Sequence, residues 1–172
     1  MYYQKHYDAP LGEMIMVSDG TTLTSLVFEQ QKYYESEVPK GCIEKSLPIF
    51  DETAAWLDIY FSGKEPDFIP AISLKGSEFR SEVWDILMKI PYGEVTTYGE
   101  IAKEIAKKRG ISRMSAQAVG GAVGHNPISI IVPCHRVIGA NGNLTGYAGG
   151  LEKKVALLRL ESGPLFINSR PI

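Results

Sequence analysis

Residues 130–139 read Ile-Ile-Val-Pro-Cys-His-Arg-Val-Ile-Gly, and they carry the chemistry around which the chain is organised. The segment 128–132 is apolar except for one serine, which predicts a buried strand. Pro133 ends any regular ladder because its nitrogen has no hydrogen to donate. The sequence therefore predicts a strand that delivers Cys134 to the inside of the fold.

Two neighbours decide what this thiol can do. Cys134 is followed by His135, a candidate base, and by Arg136, a fixed positive charge. Such neighbours lower a cysteine pKa from about 8.5 and make the thiol nucleophilic. The alternative is an inert cysteine in a core strand, because free cysteine is among the most buried residue types. This stretch alone leaves both interpretations open.

The bulk composition excludes several classes of protein. The 172 residues predict one or two domains, and no apolar run approaches the roughly 20 residues that a membrane span requires. The first residues lack the apolar core of a secretory signal. Two cysteines far apart, Cys42 and Cys134, predict neither a disulfide framework nor a metal centre. We therefore expect no metal, no membrane contact and a reduced, cytoplasmic location.

Charge divides the chain into two parts. Residues 1–75 hold 6 Lys and Arg against 12 Asp and Glu, a net charge of −6, whereas residues 76–172 hold 12 against 8, a net of +4. This asymmetry predicts two domains with these boundaries, of which only the second favours a polyanion.

The first domain is predicted to be a small α/β unit with a structural role. Two β-rich runs flank an Asp-Gly turn, and an apolar helical period follows an exposed, polar excursion. The predicted elements are strands at 14–17 and 23–28, an excursion at 29–48, a helix at 49–61 and a short strand around Ile72 and Leu74.

The second domain is predicted to begin with three helices. Ser77 caps the first, whose apolar face holds Phe79, Val83, Leu87 and Ile90. Thr97 and Glu100 form a capping box for the second, with Ile101, Ile105 and Ala106 inward, and Gly110 ends it. Ser112 or Ser115 caps the third, at 116–123. Two short helices joined by a tight turn predict a helix-turn-helix.

The third helix consists of small residues and has two interpretations. Small side chains allow close packing on another helix or close approach to a DNA groove. Only Gln117 could reach a base edge, which predicts DNA binding with little sequence specificity. The segment 107–109 with Ser112 and Arg113 would supply phosphate contacts.

The C-terminal part combines a glycine-rich loop with a last helix. The loop at 144–150 lacks the Lys-Ser or Lys-Thr pair of a phosphate-binding P-loop and is interpreted as a wall for a flat ligand. The helix at 151–161 is predicted to bury Leu151, Val155 and Leu158, with Leu157 as a further candidate and Glu161 at its end.

The stretch Pro133-Cys134-His135-Arg136-Val137 resembles the signature of the O6-alkylguanine-DNA alkyltransferases, or methylated-DNA–protein-cysteine methyltransferases. Further blocks of that family occur in the same order at 93–98, 118–122, 126–127 and 146–151, and in the Leu-Arg-Leu-Glu that ends at Glu161. The resemblance is strong over residues 76–162.

The resemblance implies an α+β fold, with a small ribonuclease H-like α/β domain followed by a mostly helical domain that contains a winged-helix-like helix-turn-helix. It implies a monomer that binds double-stranded DNA containing O6-alkylguanine, with O4-alkylthymine as a second candidate substrate. No cofactor is expected, and each molecule would act once.

The family's chemistry implies roles for four residues. Cys134 would take the alkyl group from O6 of guanine, and His135, polarised by Glu161, would act through a water as the base. Asn126 would brace the loops around the site. The base would have to be flipped out of the duplex, from the minor groove.

The resemblance also implies two sets of contacts. The flipped base would contact Tyr98, Val137, Tyr147, Ala148 and Gly149. The DNA would contact Arg113, Ser115, Ala116, Gln117, Gly120 and Arg136, the last of these being either a structural tie or a DNA contact.

Two positions depart from the family pattern. Many members place an arginine at the position of Gln117, which lacks the charge and stacking plane of a guanidinium. Ala148 replaces a hydroxyl residue found in some members, so recognition of O6 there would depend on backbone N–H groups.

Three other functions compete with alkyl transfer. A DNA sensor of the same fold binds the lesion without transfer, but such relatives lack the cysteine. A Cys-His hydrolase would turn over a small ester and would not need a helix-turn-helix. A transcription regulator would need longer side chains on the third helix.

Overall fold

The computed structural model describes residues 1–162. Its helices and strands are, in chain order, β1 (Tyr3–Ala9), β2 (Gly12–Ser18), β3 (Leu23–Phe28), α1 (Tyr34–Glu37), β4 (Ile43–Glu44), α2 (Pro48–Phe61), α3 (Glu78–Leu87), β5 (Thr96–Thr97), α4 (Tyr98–Arg109), α5 (Ala116–Gly124), β6 (Val137–Ile138) and α6 (Leu151–Ser162). The chain forms two compact units. One comprises Met1–Lys75 with Pro127–Ser129, and the other comprises Gly76–Asn126 and the described residues 130–162.

The first unit is a four-stranded sheet with one long helix. The strand order is β3-β2-β1-β4, with β1, β2 and β3 antiparallel and β4 parallel to β1. Helix α2 buries Phe50, Leu57 and Tyr60, and it contacts the three long strands. The predicted strands at 14–17 and 23–28 and the predicted helix are confirmed, whereas β1 was not predicted. The predicted short strand around Ile72 and Leu74 is only a single bridge from Ile72 to Leu23.

The segment predicted as an exposed excursion is partly structured. It contains α1 and β4, and its Gln31 is buried. The Gln31 side-chain oxygen accepts a hydrogen bond from the Phe28 N–H at 2.9 Å, so this residue ends β3. A single polar residue that pairs a backbone N–H at the end of a strand does not contribute to a periodic pattern, so the sequence did not reveal the burial of Gln31.

The second unit begins with the three predicted helices. Ser77, Thr97 and Ser115 each accept a hydrogen bond from the backbone N–H three residues later, at 3.1 to 3.2 Å. These contacts confirm the three caps and select Ser115 over Ser112. Gly110 ends α4 at φ +66°, the left-handed conformation that glycine adopts without cost. Helices α4 and α5 form the predicted helix-turn-helix.

A buried hydrogen bond fixes the second helix of this pair. Trp84 of α3 is 1% exposed, and its indole N–H donates to the Ala122 carbonyl of α5 at 2.9 Å. Val119, Ala122 and Val123 of α5 are buried. The small residues of α5 therefore serve close helix packing on one side, which leaves the opposite side exposed.

The predicted strand before Cys134 is wrong. The segment 128–132 is buried as expected, but it forms turns, and Ile128 makes only a single bridge to Leu26. Ile130 has a φ of +71°, which no strand can accommodate. An apolar run predicts burial but does not distinguish a strand from a buried turn.

The buried face of α6 also differs from the prediction. Leu151 is 47% exposed and Val155 is only partly buried. The buried side chains are Lys154, Leu157 and Leu158. Leu157 and Leu158 are therefore buried as predicted, whereas Leu151 and Val155 are not, and Lys154 takes the remaining buried position.

Among residues 1–162, no helix combines the length and apolar character needed to cross a membrane.

The caps generate a stability prediction. Thr97→Ala removes the acceptor for the Glu100 N–H and is expected to lower the free energy of unfolding by about 1 kcal/mol. Thr97→Ser keeps the hydroxyl and serves as the matched control, with a smaller loss expected. Urea denaturation followed by circular dichroism measures both variants. Equal losses in the two variants would show that the cap does not stabilise α4.

Candidate active site

Cys134 begins a short 3₁₀ helix, Cys134–Arg136, directly after Pro133. Its backbone N–H donates to the Val132 carbonyl at 2.8 Å, and the Arg136 N–H donates to the Pro133 carbonyl at 3.0 Å. The cysteine is 6% exposed. A tight turn, and not a strand, therefore presents the thiol.

Opposing influences act on the thiol. Burial raises the pKa of Cys134, because a thiolate is poorly stabilised away from water. A hydrogen bond from Asn126 and the positive charge of Lys154 lower this pKa in part, and burial outweighs them. The resting cysteine is thus a neutral thiol that needs a base in order to react.

Asn126 connects two parts of the site. Its side-chain N–H donates to the Val132 carbonyl at 2.8 Å, and its side chain also hydrogen-bonds to Cys134. Asn126 is 3% exposed and lies two residues after the end of α5. This geometry agrees with the predicted bracing role.

The candidate base is a buried imidazole held by a carboxylate. His135 Nε2 lies 2.5 Å from Glu161 Oε2, and the two side chains are 0% and 1% exposed. Burial lowers the pKa of His135 and outweighs the contribution of Glu161, which raises it. A neutral imidazole that donates from Nε2 carries its lone pair on Nδ1, so Nδ1 is the nitrogen that can accept a proton.

Arg136 holds the same carboxylate from another side. Its Nε and Nη2 lie 2.8 and 3.2 Å from the two Glu161 oxygens, and Nη1 donates to the Ile90 carbonyl at 2.7 Å. The Gly93 N–H also donates to Glu161, at 3.1 Å. Burial alone raises the pKa of Glu161, but the hydrogen bonds and charges of His135 and Arg136 lower it to about 2.

The structure supports one of the two roles predicted for Arg136. Its side chain is 10% exposed, and its guanidinium is engaged with Glu161 and Ile90. This arrangement supports the structural tie and offers little surface for the predicted DNA contact. Judged from its sequence position alone, Glu161 resembles a solvated carboxylate at the end of a helix. In the structure it lies at the centre of the site.

Lys154 is a member of the site that the sequence analysis missed. Its Nζ lies 2.6, 2.9 and 3.0 Å from the carbonyls of Val137, Thr145 and Gly146. The side chain is fully buried, and burial lowers the pKa of Lys154 to about 8, an effect that a thiolate at Cys134 opposes. Leu157 and Leu158 follow at positions i+3 and i+4, a spacing that would have indicated the buried face.

The predicted base contacts lie around this lysine. Tyr98 begins α4 and donates from its hydroxyl to the Thr145 carbonyl at 3.2 Å. Val137 is fully buried in β6, which pairs in parallel with β5. Tyr147, Ala148 and Gly149 are partly buried in the glycine-rich loop that precedes α6.

The predicted DNA contacts lie on the exposed side of the helix-turn-helix. Arg113, Ser115, Ala116 and Gln117 are exposed, and Gly120 is partly exposed. Gly120 lies next to Tyr98, and a Cβ at this position would make an ordinary van der Waals contact with the Tyr98 ring at 3.8 Å.

One of the predicted phosphate contacts takes part in an ion pair. Arg109 pairs with Glu82 of α3, and its guanidinium lies 5.6 Å from the centre of the Phe79 ring. This pair joins α3 to α4. Lys107 and Arg113 line one open groove together with Lys103.

The first unit holds one group of potential metal ligands among the described residues. His6 Nδ1 lies 2.8 Å from Glu13 and 3.5 Å from Glu29. All three side chains are exposed, and their ion pairing accounts for their proximity. None of the candidate catalytic residues belongs to this group.

Comparison with known proteins covers both units. Two family models match, the 6-O-methylguanine DNA methyltransferase ribonuclease-like domain over residues 1–73 and its DNA binding domain over residues 78–163. These matches and the two units confirm the expected fold class. The match to the DNA binding domain includes α4 and α5, the predicted helix-turn-helix.

Individual relatives are similar over nearly the whole chain. A methylated-DNA–protein-cysteine methyltransferase of Mycobacterium leprae is 44% identical, over 94% of this chain and 93% of the relative. One of Haemophilus influenzae is 42% identical, over 94% and 87% respectively. The crystal structure of Mycobacterium tuberculosis OGT in complex with DNA is 41% identical with a TM-score of 0.80, over 94% and 92%. This chain therefore belongs to the methylated-DNA–protein-cysteine methyltransferase family.

Proposed function

We propose that this protein repairs DNA by moving the alkyl group of O6-alkylguanine onto the Sγ of Cys134, once per molecule and without a cofactor. O4-alkylthymine is a second candidate substrate. The observation that carries the proposal is the buried thiol of Cys134 directly beside a neutral His135 that Glu161 orients at 2.5 Å. A nucleophile, its base and a group that orients the base are the parts that nucleophilic transfer requires.

The reaction balances without an added reagent. The thiol proton passes through a water to His135 Nδ1, and the thiolate attacks the alkyl carbon in line with the leaving oxygen. An S–C bond forms as the O6–C bond breaks, and the bonding electrons move to the guanine oxygen. The proton held by His135 returns to the guanine, so the products are a thioether and an unmodified base. The thioether is stable, which limits each molecule to one turnover.

The orienting residues keep the base in its working form. Glu161 accepts the Nε2 hydrogen of His135 and thereby fixes the tautomer that leaves Nδ1 basic. Arg136 keeps the Glu161 carboxylate ionised and Asn126 braces the turn that carries the thiol. Removal of any of these side chains is expected to slow transfer without removing the nucleophile.

The substrate must leave the duplex before it can react, because Cys134 is buried. We propose that α5 enters the minor groove with Ala116 and Gly120 against the DNA, and that Gln117 fills the gap left by the flipped nucleotide. Ser115 and Arg113 would contact the backbone phosphates. The exposure of these residues supports this mode of binding.

The flipped base would lie against the loop walls. Tyr98 would contact both the base and the adjacent phosphate, and the carbonyls of Cys134 and Val137 would accept the guanine amino group. The backbone of Tyr147, Ala148 and Gly149 would hold the O6 side. The partner is double-stranded DNA, and a monomer is sufficient because all these residues belong to one unit.

Mass spectrometry tests the transfer step. Incubation with duplex DNA containing one O6-methylguanine is expected to add about 14 Da to the peptide that contains Cys134, with one adduct per molecule. Cys42 serves as the internal control, and Cys134→Ser as the variant that should gain no mass. Binding without any adduct would favour the sensor, and release of methyl without an adduct would favour a hydrolase.

The glutamine on α5 generates a second prediction. Gln117→Arg is expected to raise the affinity for duplex DNA and to steepen its dependence on salt by about one unit of log K per log salt, because the arginine brings one more positive charge into the duplex and displaces one more counterion. Gln30→Arg adds the same charge to an exposed position of the first unit and is the control. Fluorescence anisotropy at several salt concentrations measures both. An unchanged affinity in Gln117→Arg would remove Gln117 from the DNA interface.

A further inference from the structure

Lys154 on α6 carries a buried positive charge, and each N–H donor of its ammonium group has an acceptor. An ammonium group has three N–H donors and no acceptor, and the carbonyls of Val137, Thr145 and Gly146 supply three acceptors at 2.6 to 3.0 Å. A buried charge is costly unless every donor is paired. Because the number of donors equals the number of acceptors, this lysine is a structural part of the site.

The three carbonyls belong to two different sides of the candidate pocket. Val137 directly follows the 3₁₀ helix that carries Cys134. Thr145 and Gly146 belong to the glycine-rich loop, directly before the proposed base contacts. Tyr98 supports the same arrangement, because its hydroxyl donates to the Thr145 carbonyl. Lys154 is therefore the group through which the loop is joined to the backbone beside the nucleophile.

Three titratable groups face this ammonium. Cys134 and His135 lie on the 3₁₀ helix, and the charge of Lys154 lowers the pKa of both. Tyr98 lies on α4, with its ring centre 6.0 Å from Nζ. Burial raises the pKa of Tyr98, so its hydroxyl stays neutral through the alkaline range and does not compete with Lys154 as the titrating group.

We propose that Lys154 is a positioning residue for alkyl transfer, whose ammonium holds the glycine-rich loop against the Val137 backbone so that the alkylated base is presented to Cys134. This inference rests on the proposed function. A neutral amine has two donors and one lone pair. Loss of the proton therefore places the lone pair against one of the three carbonyl oxygens, and the hydrogen bond to that carbonyl is lost.

The first measurement separates positioning from binding. In Lys154→Met, the single-turnover rate constant for Cys134 methylation at saturating O6-methylguanine duplex is expected to fall about 100-fold, because a small misplacement of the reacting groups costs that much. Affinity for the same duplex without the lesion should match that of Lys89→Met. Lys89→Met removes the same charge from an exposed lysine just after α3 and is expected to react at the wild-type rate.

The second measurement is a pH profile. The ratio of the wild-type rate constant to that of Lys154→Arg is expected to fall as the pH rises through about 8, because the ammonium is present below that pKa and lost above it, whereas the guanidinium does not titrate. Lys154→Arg keeps the positive charge that lowers the pKa of Cys134, which Lys154→Met removes, so it is the matched variant for the pH profile. If circular dichroism shows that Lys154→Met is unfolded, the pH profile with Lys154→Arg carries the test alone.

Several outcomes would overturn the inference. They are a folded Lys154→Met that reacts at the wild-type rate, a loss confined to DNA affinity, an equal loss in Lys89→Met, or a ratio that does not change with pH. Failure of the proposed function looks different, because the wild-type protein itself would then gain no methyl group. Methylation of wild type and Lys154→Met alike would remove only the role of Lys154.

Discussion

The second unit depends on one buried carboxylate. Glu161 is 1% exposed at its side chain, and a charge in that position persists only when it is fully paired. Its partners are His135, Arg136 and the Gly93 N–H. Arg136 in turn binds the carbonyl of Ile90, just after α3. The ends of α3 and α6 and the turn that carries the nucleophile are thus fixed by one network of charges.

This network explains how a buried thiol is reconciled with reactivity. Burial makes Cys134 a neutral thiol and His135 a neutral imidazole, so neither group carries a charge until a proton moves between them. Arg136 supplies a permanent charge that keeps Glu161 ionised and able to orient the base. A nucleophile that is neutral at rest is protected from other electrophiles, which would suit the proposed single turnover.

Much of this arrangement follows from local sequence signals, and the remainder does not. Caps such as Thr97 were predictable because a side chain bonds a backbone group three residues away. The apolar run 128–132 predicted burial but not backbone conformation, since Ile130 adopts a positive φ that only its surroundings impose. Lys154 was missed because its acceptors are backbone carbonyls, so that only the spacing of Leu157 and Leu158 indicates its burial. Glu161 was found through the family resemblance and not through its own pattern.

The central claim is that Glu161 holds His135 as a neutral base beside Cys134. Nitrogen NMR of the protein with labelled histidine tests this claim most directly, because the chain has three histidines and the two ring nitrogens give distinct shifts. The account predicts that at neutral pH His135 carries one hydrogen, on Nε2, and that Glu161→Gln loses this preference. A His135 that is doubly protonated at neutral pH, or that carries its hydrogen on Nδ1, would contradict the account.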